Sequence, residues 1–112
     1  MKNIQDLDMQ SLIFSDGTIS TITSRLGVVV VDFVDWQEKN WSLIFNNAIA
    51  YKSISAEGEE ISALRQLSDT EFSREVKSAG EGTASSYCFV SAWSEQVVLT
   101  IVAEGYIASI IS

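Results

Sequence analysis

Apolar and polar residues alternate along most of this 112-residue chain, and this two-residue period constrains the fold more than any other feature. Successive side chains of a β-strand point to opposite faces of the sheet, so alternation is typical of strands with one buried face. Seven strands are predicted in this way, at residues 10–15, 18–23, 28–36, 41–51, 85–93, 96–103 and 106–111. The sequence therefore predicts a mostly antiparallel sheet in a single domain of residues 1–112.

Two of these segments indicate how the sheet is arranged. Residues 28–36 carry apolar side chains on both faces, which is typical of a central strand covered on both sides. The pair Asp16-Gly17 lies between the segments 10–15 and 18–23. Because a type I′ turn needs positive φ at both central residues, this pair predicts a tight hairpin.

The pattern changes between residues 55 and 80, where helical spacing replaces alternation. Ile61, Leu64 and Leu67 recur at helical intervals, and Ser68 to Glu71 has the form of a helix capping box. A second helix is predicted from there to Gly80, a typical helix end. The predicted fold class is therefore α+β: an antiparallel β meander of about seven strands, barrel-like or two-layer, with one or two helices inserted between strands four and five.

Residue types needed for common catalytic chemistry are missing from the sequence. The chain has no histidine and a single cysteine, Cys88, which argues against Ser-His-Asp and Cys-His catalysis and against a zinc site. Asp32 and Asp35 interrupt an apolar strand, but residues three apart on a strand point to opposite faces. We therefore predict no catalytic residue, no cofactor and no metal site. An enzyme that uses carboxylates alone is the least favoured alternative.

The sequence also indicates the compartment and argues against some partners. Basic residues occur singly, so no nucleic-acid partner is predicted. Apolar runs reach only four or five residues, so no membrane partner is expected. The first six residues do not resemble a signal peptide. We expect a cytoplasmic protein in which Cys88 is a buried, inert thiol.

The net charge of −8 is the main positive indication of function. Residues 53–82 are the most acidic segment, and an acidic surface attracts a basic protein partner. The alternative is that the charge only maintains solubility. Partner-binding carboxylates are predicted at Asp35, Glu38, Glu57, Glu59, Glu60, Asp69 and Glu71. Trp36, Trp41 and Trp93 flank predicted turns, where they could anchor a partner, although a core position is favoured.

The whole-chain layout resembles the small acidic immunity proteins of bacterial polymorphic and contact-dependent toxin systems. The resemblance rests on size, acidity and strand order, with the segments 14–19, 41–47, 87–90 and 99–103 carrying it. It implies a non-catalytic protein that occludes the active site of a cognate toxin domain, often a nuclease with a basic cleft. No binding residue is transferred from the family by position.

A second hypothesis is a homo-oligomeric structural or assembly subunit. The last predicted strand, beginning at Tyr106, has no charge and no proline to protect an exposed sheet edge. Such a strand must be covered by the rest of the fold or by another chain, so a homodimer is an open alternative.

Overall fold

The computed structural model describes residues 12–67 and 85–111, and these residues form eight antiparallel strands in one open sheet. The strands are β1 (Gly17–Arg25), β2 (Val28–Val34), β3 (Asn40–Asn46), β4 (Ala50–Ser53), β5 (Glu60–Leu67), β6 (Ser85–Ser91), β7 (Val97–Ala103) and β8 (Gly105–Ile110). Their order across the sheet is β4-β7-β6-β5-β1-β2-β3-β8. The strands β4 and β8 therefore form its two edges.

The predicted α+β class is wrong for the described residues, which are all-β and contain no helix. The predicted barrel or two-layer arrangement is likewise replaced by the open sheet. Residues predicted as the first helix form a turn followed by β5. A β-bulge between Ile61 and Ala63 explains the misleading spacing. Because the bulge adds one residue, Ile61 and Leu64 both pack on the core although they lie three residues apart.

Other boundaries differ from the prediction as well. The single strand predicted at 41–51 is two strands, β3 and β4, separated by a turn at Asn47 with a φ of 50°. Residues 12–15 form no strand, and the second predicted helix, with Gly80, lies outside the described residues. β2 lies between β1 and β3, which confirms its predicted central position, but only one of its faces is fully buried, whereas the other is half-buried.

The hairpin predicted at Asp16-Gly17 is wrong, since residues 12–15 form no strand and Gly17 is already the first residue of β1. β1 instead pairs with β2 through a turn that contains Gly27, with a φ of 74°. Asp16 does have positive φ, at 67°. Gly17 is needed for a different reason: a Cβ atom there would overlap the ring of Phe33 and lie 2.9 Å from the Val34 carbonyl oxygen. Glycine thus lets an aromatic ring pack directly on the backbone of β1.

Aromatic side chains fill the core and bring distant strands of the sheet together. The ring of Phe45 on β3 lies 5.4 Å from that of Tyr87 and 6.2 Å from that of Phe89, both on β6. From Ser86 to Ser91, β6 is buried along both faces. Cys88 is buried, as predicted, and burial raises the pKa of its thiol, which disfavours the reactive thiolate. Within the described residues, no helix could cross a membrane.

Candidate protein-binding surface

Several loops of the molecule lie around the short pairing between β1 and β5. These two strands pair only at Gly17 with Ile61 and Thr18 with Glu60. The Asp16 amide donates to the Ile61 carbonyl at 2.9 Å, and the Ala92 amide donates to the Glu60 carbonyl at 2.8 Å. We call the loops 14–16, 35–39, 54–59 and 92–96, together with Glu60, the acidic junction.

Carboxylates are concentrated at the acidic junction. Of the nine carboxylate side chains among the described residues, seven belong to it: Asp16, Asp35, Glu38, Glu57, Glu59, Glu60 and Glu95. Only one of the four described basic residues, Lys39, belongs to it: Arg25 and Arg65 lie on β1 and β5, and Lys52 lies on β4, two residues before the loop 54–59. Among the described residues, the charge is thus unevenly distributed, with a strongly negative region around one strand junction.

Five of the seven predicted partner-binding carboxylates lie on the acidic junction. Asp35 and Glu38 come from the β2–β3 loop, and Glu57, Glu59 and Glu60 from the β4–β5 connection. The pairing of Thr18 with Val34 places the two groups two strand spacings apart, roughly 10 Å. Asp69 and Glu71, the other two, lie outside the described residues.

Asp35 is the most constrained of these carboxylates, because its side chain is only 6% exposed. Its Oδ1 atom accepts from the Gln37 amide at 2.8 Å and the Lys39 amide at 2.9 Å, and its Oδ2 atom accepts from the Trp41 indole at 2.9 Å. Burial acts to raise the pKa of this carboxyl, but the three hydrogen bonds and the Lys39 charge outweigh it and lower the pKa. Asp35 therefore stays ionised and shapes the loop from inside.

Glu57 and Glu59 have internal partners as well. The Ile22 amide donates to Glu57 Oε2 at 2.8 Å, so this side chain takes the place of a neighbouring strand beside β1. Glu59 accepts a hydrogen bond from the Ser91 hydroxyl. Ser91 Oγ in turn accepts from the Trp93 amide at 3.1 Å and the Ser94 amide at 3.2 Å, which fixes the β6–β7 loop. These glutamates hold the loops of the acidic junction in place.

Glu38 and Glu95 are the outward-facing acids of two similar turns. Both are exposed and both have positive φ, 65° and 60°. Each follows a tryptophan by two residues, as Trp36-Gln37-Glu38 and Trp93-Ser94-Glu95. Since Asp35 and Ser91 fix the two backbones, each turn presents an indole and a carboxylate on a defined loop.

Trp36 and Trp93 are the functional candidates that the sequence placed wrongly. Trp41 is buried, as predicted, but Trp36 is 54% exposed and Trp93 is 80% exposed. An exposed tryptophan on a fixed loop is typical of a protein-interaction anchor. Trp36 adjoins the polar run 37–40, and Trp93 directly precedes Ser94-Glu95, but Trp41 adjoins the same run and is buried. No local sequence signal therefore separates the exposed tryptophans from the buried one.

Other arrangements that could support catalysis lie away from the acidic junction or are not formed. An open cleft of about 520 Å³ lies between the β1–β2 turn and residues 48–51, and no carboxylate lines it. Asp32 accepts a hydrogen bond from the Thr21 hydroxyl at 2.8 Å, separately from the Asp35 network. Within the described part of the chain, no three potential metal-ligating residues form a group that could hold an ion.

A scan against protein-family models finds no match for this chain, and searches of curated proteins and of solved structures find none either. The resemblance to immunity proteins therefore stays a prediction, and the geometry of the acidic junction is the basis for a functional proposal.

Proposed function

We propose that this protein is a non-catalytic protein-binding domain that presents the acidic junction to a basic protein partner. Its more specific form is an immunity protein that occludes the active site of a cognate bacterial toxin domain, expected to be a nuclease, in the cytoplasm. The single observation that carries the proposal is the exposure of Trp36 and Trp93 on two loops of the acidic junction, the region that holds seven of the nine described carboxylates.

The chemistry of these two turns favours a basic partner. Carboxylates such as Glu38 and Glu95 can pair with lysine and arginine side chains, and arginine can also stack on an indole ring. A nuclease needs a basic cleft to bind phosphates, so it would present such side chains around its active site. The negative charge would speed the encounter with the partner. Burial of the two tryptophan side chains on binding would provide most of the affinity.

The fixed conformation of the loops supports tight binding. Loops that order only on binding lose conformational entropy at that moment, which weakens the complex. Here, the Asp35 carboxylate holds the β2–β3 loop, and the Ser91 and Glu59 side chains hold the β6–β7 loop. In this proposal Asp35 supports the surface from inside, and Trp36, Glu38, Trp93 and Glu95 contact the partner.

The test is isothermal titration of the purified protein into the basic toxin-like domain encoded beside its gene, at low and at high salt. We expect a complex that weakens as salt rises, because its charges are screened. Trp93→Ala should weaken binding about 30-fold, as expected for a tryptophan anchor. Leu26→Ala, a change of an exposed residue on the β1–β2 turn, should leave the affinity unchanged.

A matched pair of charge changes separates the acidic junction from net charge. Glu95→Gln and Glu104→Gln remove the same charge, but Glu104 lies between β7 and β8, away from the acidic junction. Only Glu95→Gln should slow association and reduce the salt dependence. Equal effects of the two changes, or no complex at low salt, would contradict the proposal.

A further inference from the structure

The two edge strands of this sheet, β8 and β4, differ in length and in charge. β8 is an edge strand, and its ladder with β3 runs from Trp41–Ile110 to Asn46–Gly105 without a bulge. It carries no charged residue and no proline. The opposite edge, β4, has only four residues and includes the exposed Lys52. Since short length, charge and bulges are the usual protections of an edge, β8 is the unprotected edge within residues 12–67 and 85–111.

We propose that β8 pairs antiparallel with β8 of a second copy of this chain, which joins two sheets into one across a two-fold axis at Ala108. This inference goes beyond the proposed function and uses a different surface. The first argument is the direction of the backbone groups. The Ile111 amide donates to the Asn40 carbonyl at 2.8 Å, so the odd-numbered residues of β8 face β3. Tyr106, Ala108 and Ile110 therefore direct their amides and carbonyls outward.

An axis at Ala108 uses all of these outward groups. In an antiparallel pair centred there, Ala108 faces its own copy and Tyr106 faces Ile110 of the second copy. The three hydrogen-bonded positions then supply six bonds between the chains. Other centres on this strand leave some of the outward groups without a partner. This geometry fixes the register of the two strands.

The side chains of β8 also complement each other in this register. Ile110 is exposed and would cover the half-buried ring of Tyr106 in the second copy. Ile111, which is also exposed, would lie opposite Gly105, where no atom lies within 4 Å of the position that a Cβ atom would take. The pairing would therefore bury the exposed apolar side chains at the end of this strand.

The distribution of charge favours pairing of two copies at β8, because this strand carries no charge and the antiparallel orientation keeps the acidic loops apart. A chain with net charge −8 repels its own copies, so self-association is expected where no charge is present. The end of β8 at Ile110 lies beside Trp41, close to the β2–β3 loop of the acidic junction. Antiparallel pairing places these loops of the two copies at opposite ends of the shared ribbon, about 20 Å apart along it. The loops with Trp36 and Trp93 stay free in both copies.

Sedimentation velocity over a range of protein concentrations tests the association. We expect an average mass that rises from monomer towards dimer. Ile110→Lys removes the contact with Tyr106 twice in each dimer and should raise the dissociation constant about tenfold. Leu26→Lys adds the same charge on the distant β1–β2 turn and should not raise it. A monomer mass at all concentrations, or equal effects of the two variants, would overturn the proposal.

Cysteine crosslinking tests the register independently of affinity. With the axis at Ala108, Ile107 faces Ser109 of the second copy as a close, non-hydrogen-bonded pair, about 4.5 Å apart at Cα, which suits a disulfide. The double variant Ile107→Cys with Ser109→Cys should therefore form a covalent dimer on mild oxidation. Ile107→Cys alone should not, because its cysteine faces serine. No dimer in the double variant, or equal crosslinking in the single variant, would overturn the proposed register.

Discussion

Asp35 shows how one buried side chain can determine the conformation of a whole loop. Its two carboxylate oxygens accept from two backbone amides and one indole, so the β2–β3 loop is fixed by a group that is almost completely buried. The sequence identified this residue as unusual, because it interrupts an apolar strand. It could not indicate that the carboxylate turns inward, since that depends on the positions of three donors along the loop.

Replacing Asp35 by alanine should destabilise the fold by about 3 kcal/mol, because three buried or half-buried donors lose their acceptor. Urea denaturation measures the change in the free energy of unfolding. Glu38→Gln, an exposed change on the same loop, should alter it by less than about 0.5 kcal/mol. A similar small value for Asp35→Ala would contradict the structural role.

The lowered pKa of Asp35 also predicts how stability depends on pH. Its contribution is fully present above about pH 3.9, the ordinary pKa of an aspartate in an unfolded chain, and is lost as pH falls through the lower pKa of the folded state. Below about pH 4, the free energy of unfolding should therefore fall more steeply in the wild type than in Asp35→Ala. Parallel curves from acid titrations of the two proteins would argue against this assignment.

Gly17→Ala tests the packing of Phe33 on the backbone. The added methyl group would overlap the Phe33 ring, so we expect a loss of about 2 kcal/mol in the free energy of unfolding. Gly105→Ala is the matched control, because no atom lies within 4 Å of the position of its added methyl group. In thermal or urea unfolding, only Gly17→Ala should have a free energy of unfolding well below that of the wild type.

At the scale of strands, β1 and β5 each contain a β-bulge that interrupts the two-residue period, and the bulge in β5 explains why that strand was predicted as a helix. In β1, a bulge between Ile19 and Thr21 brings Ile19 and Ile22 to the core side, three residues apart. The bulge in β5 does the same for Ile61 and Leu64. β2 and β3 have no internal bulge, and both segments were predicted as strands, although β3 was predicted to continue into β4. A bulge in a strand and a turn of helix can both place apolar residues three apart on the same side. The sequence pattern alone therefore does not separate a bulged strand from a helix.

The Glu57 side chain accepts a hydrogen bond beside β1 where a neighbouring strand would otherwise do so. The protection that it gives can be measured at a single amide, that of Ile22. Glu57→Ala should increase the hydrogen-exchange rate of the Ile22 amide, which loses its acceptor. Glu60→Ala is the control, since the Ile22 amide bonds to the Glu57 side chain alone. Amide-resolved exchange by NMR measures both. An unchanged rate at Ile22 in Glu57→Ala would show that the carboxylate does not protect this edge.

At the scale of the molecule, the fold concentrates charge that the sequence distributes over several segments. Asp16, Glu38, Glu60 and Glu95 are far apart in the chain, and the β1–β5 junction brings their loops together. Five of the predicted binding acids were selected from sequence because the segment around residues 53–82 is acidic or because they lie beside a turn. Asp16 and Glu95 were missed because they belong to the acidic junction only through the way the strands pair. The exposure of Trp36 and Trp93 depends on the strand pairing in the same way.

The most direct test of the central claim, that the acidic junction is the partner-binding surface, is a hydrogen–deuterium exchange footprint of the complex with the basic toxin-like domain. We expect slower exchange on binding in the loops 35–39 and 92–96, with no change in the β1–β2 turn at Leu26-Gly27. Slower exchange confined to that turn and to residues 47–51, with the two tryptophan loops unchanged, would contradict the claim.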